Sequence, residues 1–160
     1  MAWGRSGYWV LFDLILLQSC FRIYLKRVGE ILRVYKEAAV MRKRILVVDD
    51  DAMNLKRTQM ILEKFYNILL AESGREALNK IKYEKIDLIL LDIAMPIMDG
   101  IETFKRMKDA NVDIPVIFLT ASGYEDDVRT AISLGAVNYL KKPFFPQELL
   151  KRVAMGLEEQ

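Results

Sequence analysis

Histidine is absent from the 160 residues, and cysteine occurs once, at Cys20. Without histidine there is no Ser-His-Asp triad and no His-based metal site, and a lone cysteine makes neither an intrachain disulfide nor a structural zinc site. Whatever chemistry the chain performs is left to carboxylates, hydroxyls and lysines, and a reducing cytosol fits. A surplus of one charge sign is also missing. The 24 Lys and Arg against 22 Asp and Glu leave only +2, which signals no nucleic-acid partner. Nor is there an apolar run fit to span a bilayer. Residues 8–17 (YWVLFDLILL) are interrupted by Asp13 and followed by Gln18, Ser19 and Arg22. A span takes about 20 nearly unbroken apolar residues, and a central carboxylate costs roughly 2.5 to 3.5 kcal/mol. A secretory signal is equally poor, since only Arg5 marks a basic start and no small-x-small site follows cleanly.

What is present is a globular composition, 52% apolar and 29% charged, in a length that suits one domain with a sizeable core. The charge is uneven. Residues 1–40 hold six Lys/Arg against three Asp/Glu, and residues 41–160 hold eighteen against nineteen. From Arg22 to Arg44 the pattern is basic and helical, with Ile23, Val28, Ile31, Leu32, Val34 and Tyr35 among the cations. Residues 1–40 read as an apolar and basic extension, and 41–160 as the domain proper. The preferred reading makes Met41 the real initiator and the extension no functional element; a membrane-surface or partner-docking helix is the less favoured alternative. Both tryptophans, Trp3 and Trp9, lie in this extension.

Beyond Met41, short apolar runs alternate with helical patterns at a steady spacing, the signature of repeated βα units and a parallel sheet. The expected strands are 44–48, 68–71, 88–91, 116–119 and 137–140. The expected helices are 52–65, 74–83, 101–108, 125–134 and 147–157, the fourth stopped by Gly135 and the fifth preceded by Pro146. The run 88–91 lacks alternation and should be covered on both faces, as a central parallel strand is. The Asp99-Gly100 pair reads as turn chemistry.

In open parallel sheets ligands bind beyond the carboxyl ends of the strands. There the first run ends in Asp49-Asp50-Asp51, the third in Asp92, the fourth in Thr120 and the fifth in Lys141-Lys142-Pro143. With the first and third strands adjacent, as in a doubly wound sheet of order 2-1-3-4-5, Asp49, Asp50 and Asp92 converge and repel. The usual remedy is a hard divalent cation, and Mg²⁺ suits few protein ligands and several waters. Lys142 and Thr120 are placed to clamp phosphoryl oxygens, which leaves Asp92 as the nucleophile of an acyl phosphate. Singly, each of these residues is more often a helix cap or a loop residue. Jointly, at four strand ends of one sheet, they are not.

These residues resemble the receiver domains of bacterial response regulators over about residues 42–158. The likeness rests on RILVVDDD at 44–51, LILLDIAMPIMDG at 88–100, PVIFLTAS at 115–122 and NYLKKPF at 138–144, in order and at the usual separations. It implies a flavodoxin-like α/β fold with a five-stranded parallel sheet and five helices. It also implies that Asp92 is the phosphoacceptor, that Asp49, Asp50, Asp92 and the backbone carbonyl of Ala94 hold Mg²⁺, and that Thr120 and Lys142 contact the phosphoryl group. Tyr139 matches the aromatic switch position, with a packed strand residue as the plainer alternative. Asp51 is assigned to the helix cap, and Lys142-Pro143 is typically cis in this family. Ala94 and Ser122 stand where side chains often orient the water that hydrolyses the acyl phosphate, and neither is well suited to do so.

The function expected is therefore a cytoplasmic, stand-alone receiver of a two-component or phosphorelay system. It is no enzyme beyond transfer to itself and its own dephosphorylation. Lacking histidine, it takes its phosphoryl group from another protein, a histidine kinase or a histidine phosphotransfer protein. It signals by protein contact, through the face with residues 125–134, Tyr139 and the last helix, and not through nucleic acid. A haloacid-dehalogenase-type aspartyl phosphatase is an alternative, with Asp49-x-Asp51 as a superficial match. A receiver-like interaction module that is not phosphorylated is another. A flavodoxin-like cofactor binder is disfavoured, because Asp49 to Asp51 would repel a phosphate.

Overall fold

A computed structural model describes residues 22, 24–31, 42–121 and 125–158. The chain divides into two units, residues 1–41 and 42–160, and each is described by itself. In the first, residues 24–31 are helical and exposed apart from the half-buried Val28. The rest of the extension, with Trp3, Trp9 and Cys20, lies outside the described residues. The basic helical pattern does not run on to Arg44, which opens the first strand of the second unit. No helix among the described residues is long and apolar enough to cross a membrane.

The second unit runs β1 (Arg44–Val48), α1 (Ala52–Leu62), β2 (Asn67–Ala71), α2 (Gly74–Tyr83), β3 (Leu88–Asp92), α3 (Gly100–Asp109), β4 (Val116–Thr120), α4 (Glu125–Ser133), β5 (Asn138–Lys141) and α5 (Pro146–Glu158). All four strand pairings are parallel, in the order β2-β1-β3-β4-β5. This is the doubly wound, five-stranded sheet expected from the alternating pattern. β3 is the central strand, and Leu88, Ile89, Leu90 and Leu91 are wholly buried, so the unbroken apolar run is what a strand covered on both faces requires.

Alternate residues of each strand face opposite layers, and the two cores follow from that period. Leu46, Val48, Ile89, Leu91 and Phe118 pack with Ala77 of α2, Phe104 and Met107 of α3 and Ala131 of α4. Ile45, Val47, Leu88, Leu90, Ile117 and Leu119 pack with Leu55 and Leu62 of α1 and Leu149 and Val153 of α5. The Phe104 and Phe118 rings meet edge to face at 5.4 Å, fixing α3 against the centre of the sheet.

Element ends depart from expectation where backbone partners decide them. α1 stops at Leu62 rather than Phe65. The amides of Phe65 and Tyr66 both donate to the Leu62 carbonyl, which turns the chain and leaves the Phe65 ring exposed. β2 opens at Asn67 because the Asn67 amide donates to the Lys43 carbonyl beside β1. β5 is displaced by one residue, so that Lys141 pairs with Thr120 as the last rung. Asp99 is not part of a free turn. It caps α3, accepting from the Glu102 amide at 2.7 Å, and Gly100 is the helix's first residue.

Candidate functional site

The pairing register carries the reactive side chains to one edge. Val48 pairs with Leu91, so Asp49 and Asp92 leave neighbouring strands side by side, and Thr120 follows Leu119, the partner of Asp92. One ligand atom each of Asp49, Asp50 and Asp92 lies within 4.8 Å of the others. Asp49, Asp92 and Thr120 are buried, at 1%, 5% and 2% exposure, while Asp50 faces solvent. Two unit charges about 4 Å apart repel by about 4 kcal/mol at an effective dielectric of about 20. Such a cluster needs positive charge.

Lys142 supplies one such charge. Its amide donates to the Thr120 carbonyl at 2.7 Å, which sets the loop after β5 against the end of β4, and the Lys142-Pro143 bond is cis. From there Nζ donates to Asp49 Oδ2 at 2.6 Å and lies 3.0 Å from Asp92 Oδ1. The second contact is an ion pair without hydrogen-bond alignment, and Asp92 Oδ1 is buried with no hydrogen-bond partner. Desolvation raises the Asp92 carboxyl above its ordinary value, Lys142 opposes the rise, and the charges of Asp49 and Asp50 add to it. The site thus offers three carboxylates, one ammonium and an orphaned buried oxygen. All its donors are hard oxygens, so the residues fit a divalent cation of the kind that keeps several waters.

The remaining expected residues fall around this centre. Asp51 lies outside the acidic cluster; its carboxylate accepts from the Met53 amide at 2.8 Å and caps α1, as assigned. Ala94 is exposed in the loop two positions past Asp92. Tyr139 stands on β5 opposite Phe118, at 41% exposure, so it is not a packed core residue. Ser122 lies outside the described residues.

Two residues that the sequence reading gave no role in the site help to build it. A Cβ added to Gly100 would stand 2.1 Å from the Asp92 carbonyl oxygen and 2.9 Å from its carbon. Only glycine lets α3 start against the backbone of Asp92, and the Gly100 amide donates to Ile93 in the same place. Asn54 donates from Nδ2 to Asp49 Oδ1 at 3.2 Å. The Asp-Gly signal is local and was legible only as a turn, and a lone Asn in a first helical turn carries no motif.

The family model described as the response regulator receiver domain matches residues 45–154. The chain belongs to the response regulator receiver family. This receiver is 42% identical over 114 residues to the alkaline phosphatase synthesis transcriptional regulatory protein PhoP of Bacillus subtilis, covering 71% of this chain and 48% of that protein. It is 43% identical over 110 residues to the response regulator SaeR of Staphylococcus epidermidis, covering 68% and 47%. Its fold is similar to that of a CheY-like receiver domain protein from Methanospirillum hungatei, with a TM-score of 0.70, 34% identity, and coverage of 74% of this chain and 95% of that one. The receiver therefore spans about half the length of these curated relatives. Membership implies phosphorylation-based two-component signalling.

Proposed function

We propose that the receiver accepts a phosphoryl group on Asp92 from a phosphohistidine of a histidine kinase or histidine phosphotransfer protein, and passes the signal on by protein contact in the cytoplasm. The observation that carries this reading is the Asp92 carboxylate: buried, with an oxygen that no hydrogen bond satisfies, between two further carboxylates and 3.0 Å from an ammonium. A carboxylate oxygen of Asp92 attacks phosphorus, an O–P bond forms, and the N–P bond to the donor histidine breaks with its electron pair left on the imidazole. Mg²⁺, held by Asp49, Asp50, Asp92 and the Ala94 carbonyl, would screen the charge of the incoming phosphoryl oxygens. Lys142 and the Thr120 hydroxyl hold those oxygens, and Tyr139 follows Thr120 as the switch. Asp92 acts only when ionised, so acid pH removes the nucleophile. The phosphatase alternative is disfavoured because Asp51 caps α1 instead of pairing with Asp49.

The test is Mg²⁺-dependent labelling with acetyl phosphate, read by intact-protein mass spectrometry. One added phosphoryl group is expected, mapped to Asp92 and absent in Asp92→Asn. Labelling that survives in Asp92→Asn would overturn the assignment.

A further inference from the structure

Asn54 has no part in the roles above. It sits half-buried in the first turn of α1, and its Nδ2 shares Asp49 Oδ1 with the Asp51 amide, at 3.2 and 2.9 Å, while Lys142 holds Oδ2 at 2.6 Å. Asp49 is 1% exposed, so its oxygens depend on donors that the protein supplies.

We propose that Asn54 is a positioning residue for cation binding, a neutral donor that holds the buried Asp49 carboxylate in one orientation. This rests on reading the acidic cluster as the site of a divalent cation. The choice of an amide follows from charge. A lysine or arginine at this place would satisfy Asp49 equally well, but it would neutralise the cluster and repel an incoming cation. An amide donates without adding charge. With two donors on Oδ1, rotation of the carboxylate is resisted from the α1 side, leaving Oδ2 toward Lys142 and Asp92. Asn54 also lines a cavity of about 240 Å³ together with Arg57, Thr58 and Lys142, which gives longer side chains room.

The experiment titrates Mg²⁺ into the full chain by calorimetry, for the parent and for Asn54→Ala, Asn54→Gln, Asn54→Lys and Asp50→Ala, with metal-free thermal melts to confirm folding. Asn54→Ala is expected to bind Mg²⁺ roughly 10-fold more weakly, Asn54→Gln to recover most of that loss, and Asn54→Lys to bind more weakly than Asn54→Ala. Saturating Mg²⁺ should bring acetyl phosphate labelling of Asn54→Ala back to within about 2-fold of the parent, because the loss lies in cation affinity and not in transfer. Parent-like affinity in Asn54→Ala, or Asn54→Lys binding as well as Asn54→Gln, would overturn the proposal. So would a labelling defect that saturating Mg²⁺ leaves in place. A parent chain that binds no Mg²⁺ would instead overturn the cation site itself, whereas a loss in Asp50→Ala alone would leave that site standing and remove only the role of Asn54.

Discussion

At the amino ends of the strands, charges meet in matched pairs. Lys43 lies 3.4 Å from Asp87, Arg44 lies 2.9 Å from Glu84, and the Arg44 amide donates to the other Asp87 oxygen at 2.7 Å. At the carboxyl ends, Asp49, Asp50 and Asp92 cluster, the ammonium of Lys142 meets Asp49 and Asp92 alone among them, and one buried oxygen has no hydrogen bond. The sheet is continuous between the two edges, so the contrast owes nothing to fold stability at large. One edge is balanced and closes the structure. The other is held out of balance, and an excess of negative charge is what a cation can complete.

Four substitutions would break or sharpen this contrast. The largest effect is expected from Asp50→Ala, which removes the exposed member of the cluster. Mg²⁺ affinity should fall by more than the roughly 10- to 100-fold that an outer-shell partner costs, while the metal-free chain, relieved of repulsion, melts no lower. Calorimetric titration showing unchanged affinity would remove Asp50 from the site. Next comes Gly100→Ala, whose methyl group would press on the Asp92 backbone at 2.1 Å. Backbone yields less readily than a side chain, and a loss of about 1–3 kcal/mol is expected in denaturant unfolding, with slower labelling. A variant as stable and as reactive as the parent would show that α3 can start elsewhere.

Third is the pH dependence of Asp92. Burial raises its carboxyl above the ordinary 3.8, so the folded chain holds a proton that the unfolded chain has already released. Stability from this group is therefore lost as pH rises from the unfolded value through the raised folded one, and the penalty persists at neutral pH. In metal-free solution Asp92→Asn should melt higher than the parent at pH 7, and the gain should vanish in acid below the unfolded value. Melting curves with the same difference at every pH would contradict the account. The smallest effect belongs to the balanced edge. Glu84→Gln breaks an exposed pair with Arg44 and should cost about 0–1 kcal/mol, leaving Mg²⁺ binding and labelling as they were.

Much of the site was legible along the chain because β1 and β3 end in carboxylates directly after buried apolar runs. In a parallel sheet, successive strand ends reach the same edge, so Asp49, Asp92, Thr120 and Lys142 were bound to meet once the strands were recognised. The carboxylate of Asp51 was also readable, since an Asp just ahead of a helical pattern is a cap signal. Gly100 and Asn54 were not. Gly100 matters through its contact with Asp92, which depends on where α3 enters, and the Asp-Gly pair says nothing about that approach.

The sequence by itself determined the alternation of elements, the central buried strand and the edge at which the reactive groups gather. These depend on hydrophobic period and strand polarity, both local properties of the chain. Only the tertiary structure decided how Lys142 divides itself between Asp49 and Asp92, which oxygen of Asp92 is left without a donor, and that Asn54 holds Asp49 from the other side. The Lys142 contacts differ by a few tenths of an ångström among groups far apart in the chain, and the Asn54 contact closes across the turn from β1 into α1. They arise from the packing of α1 and of the loop after β5 against one sheet edge, and no pattern along the sequence encodes a distance of that kind.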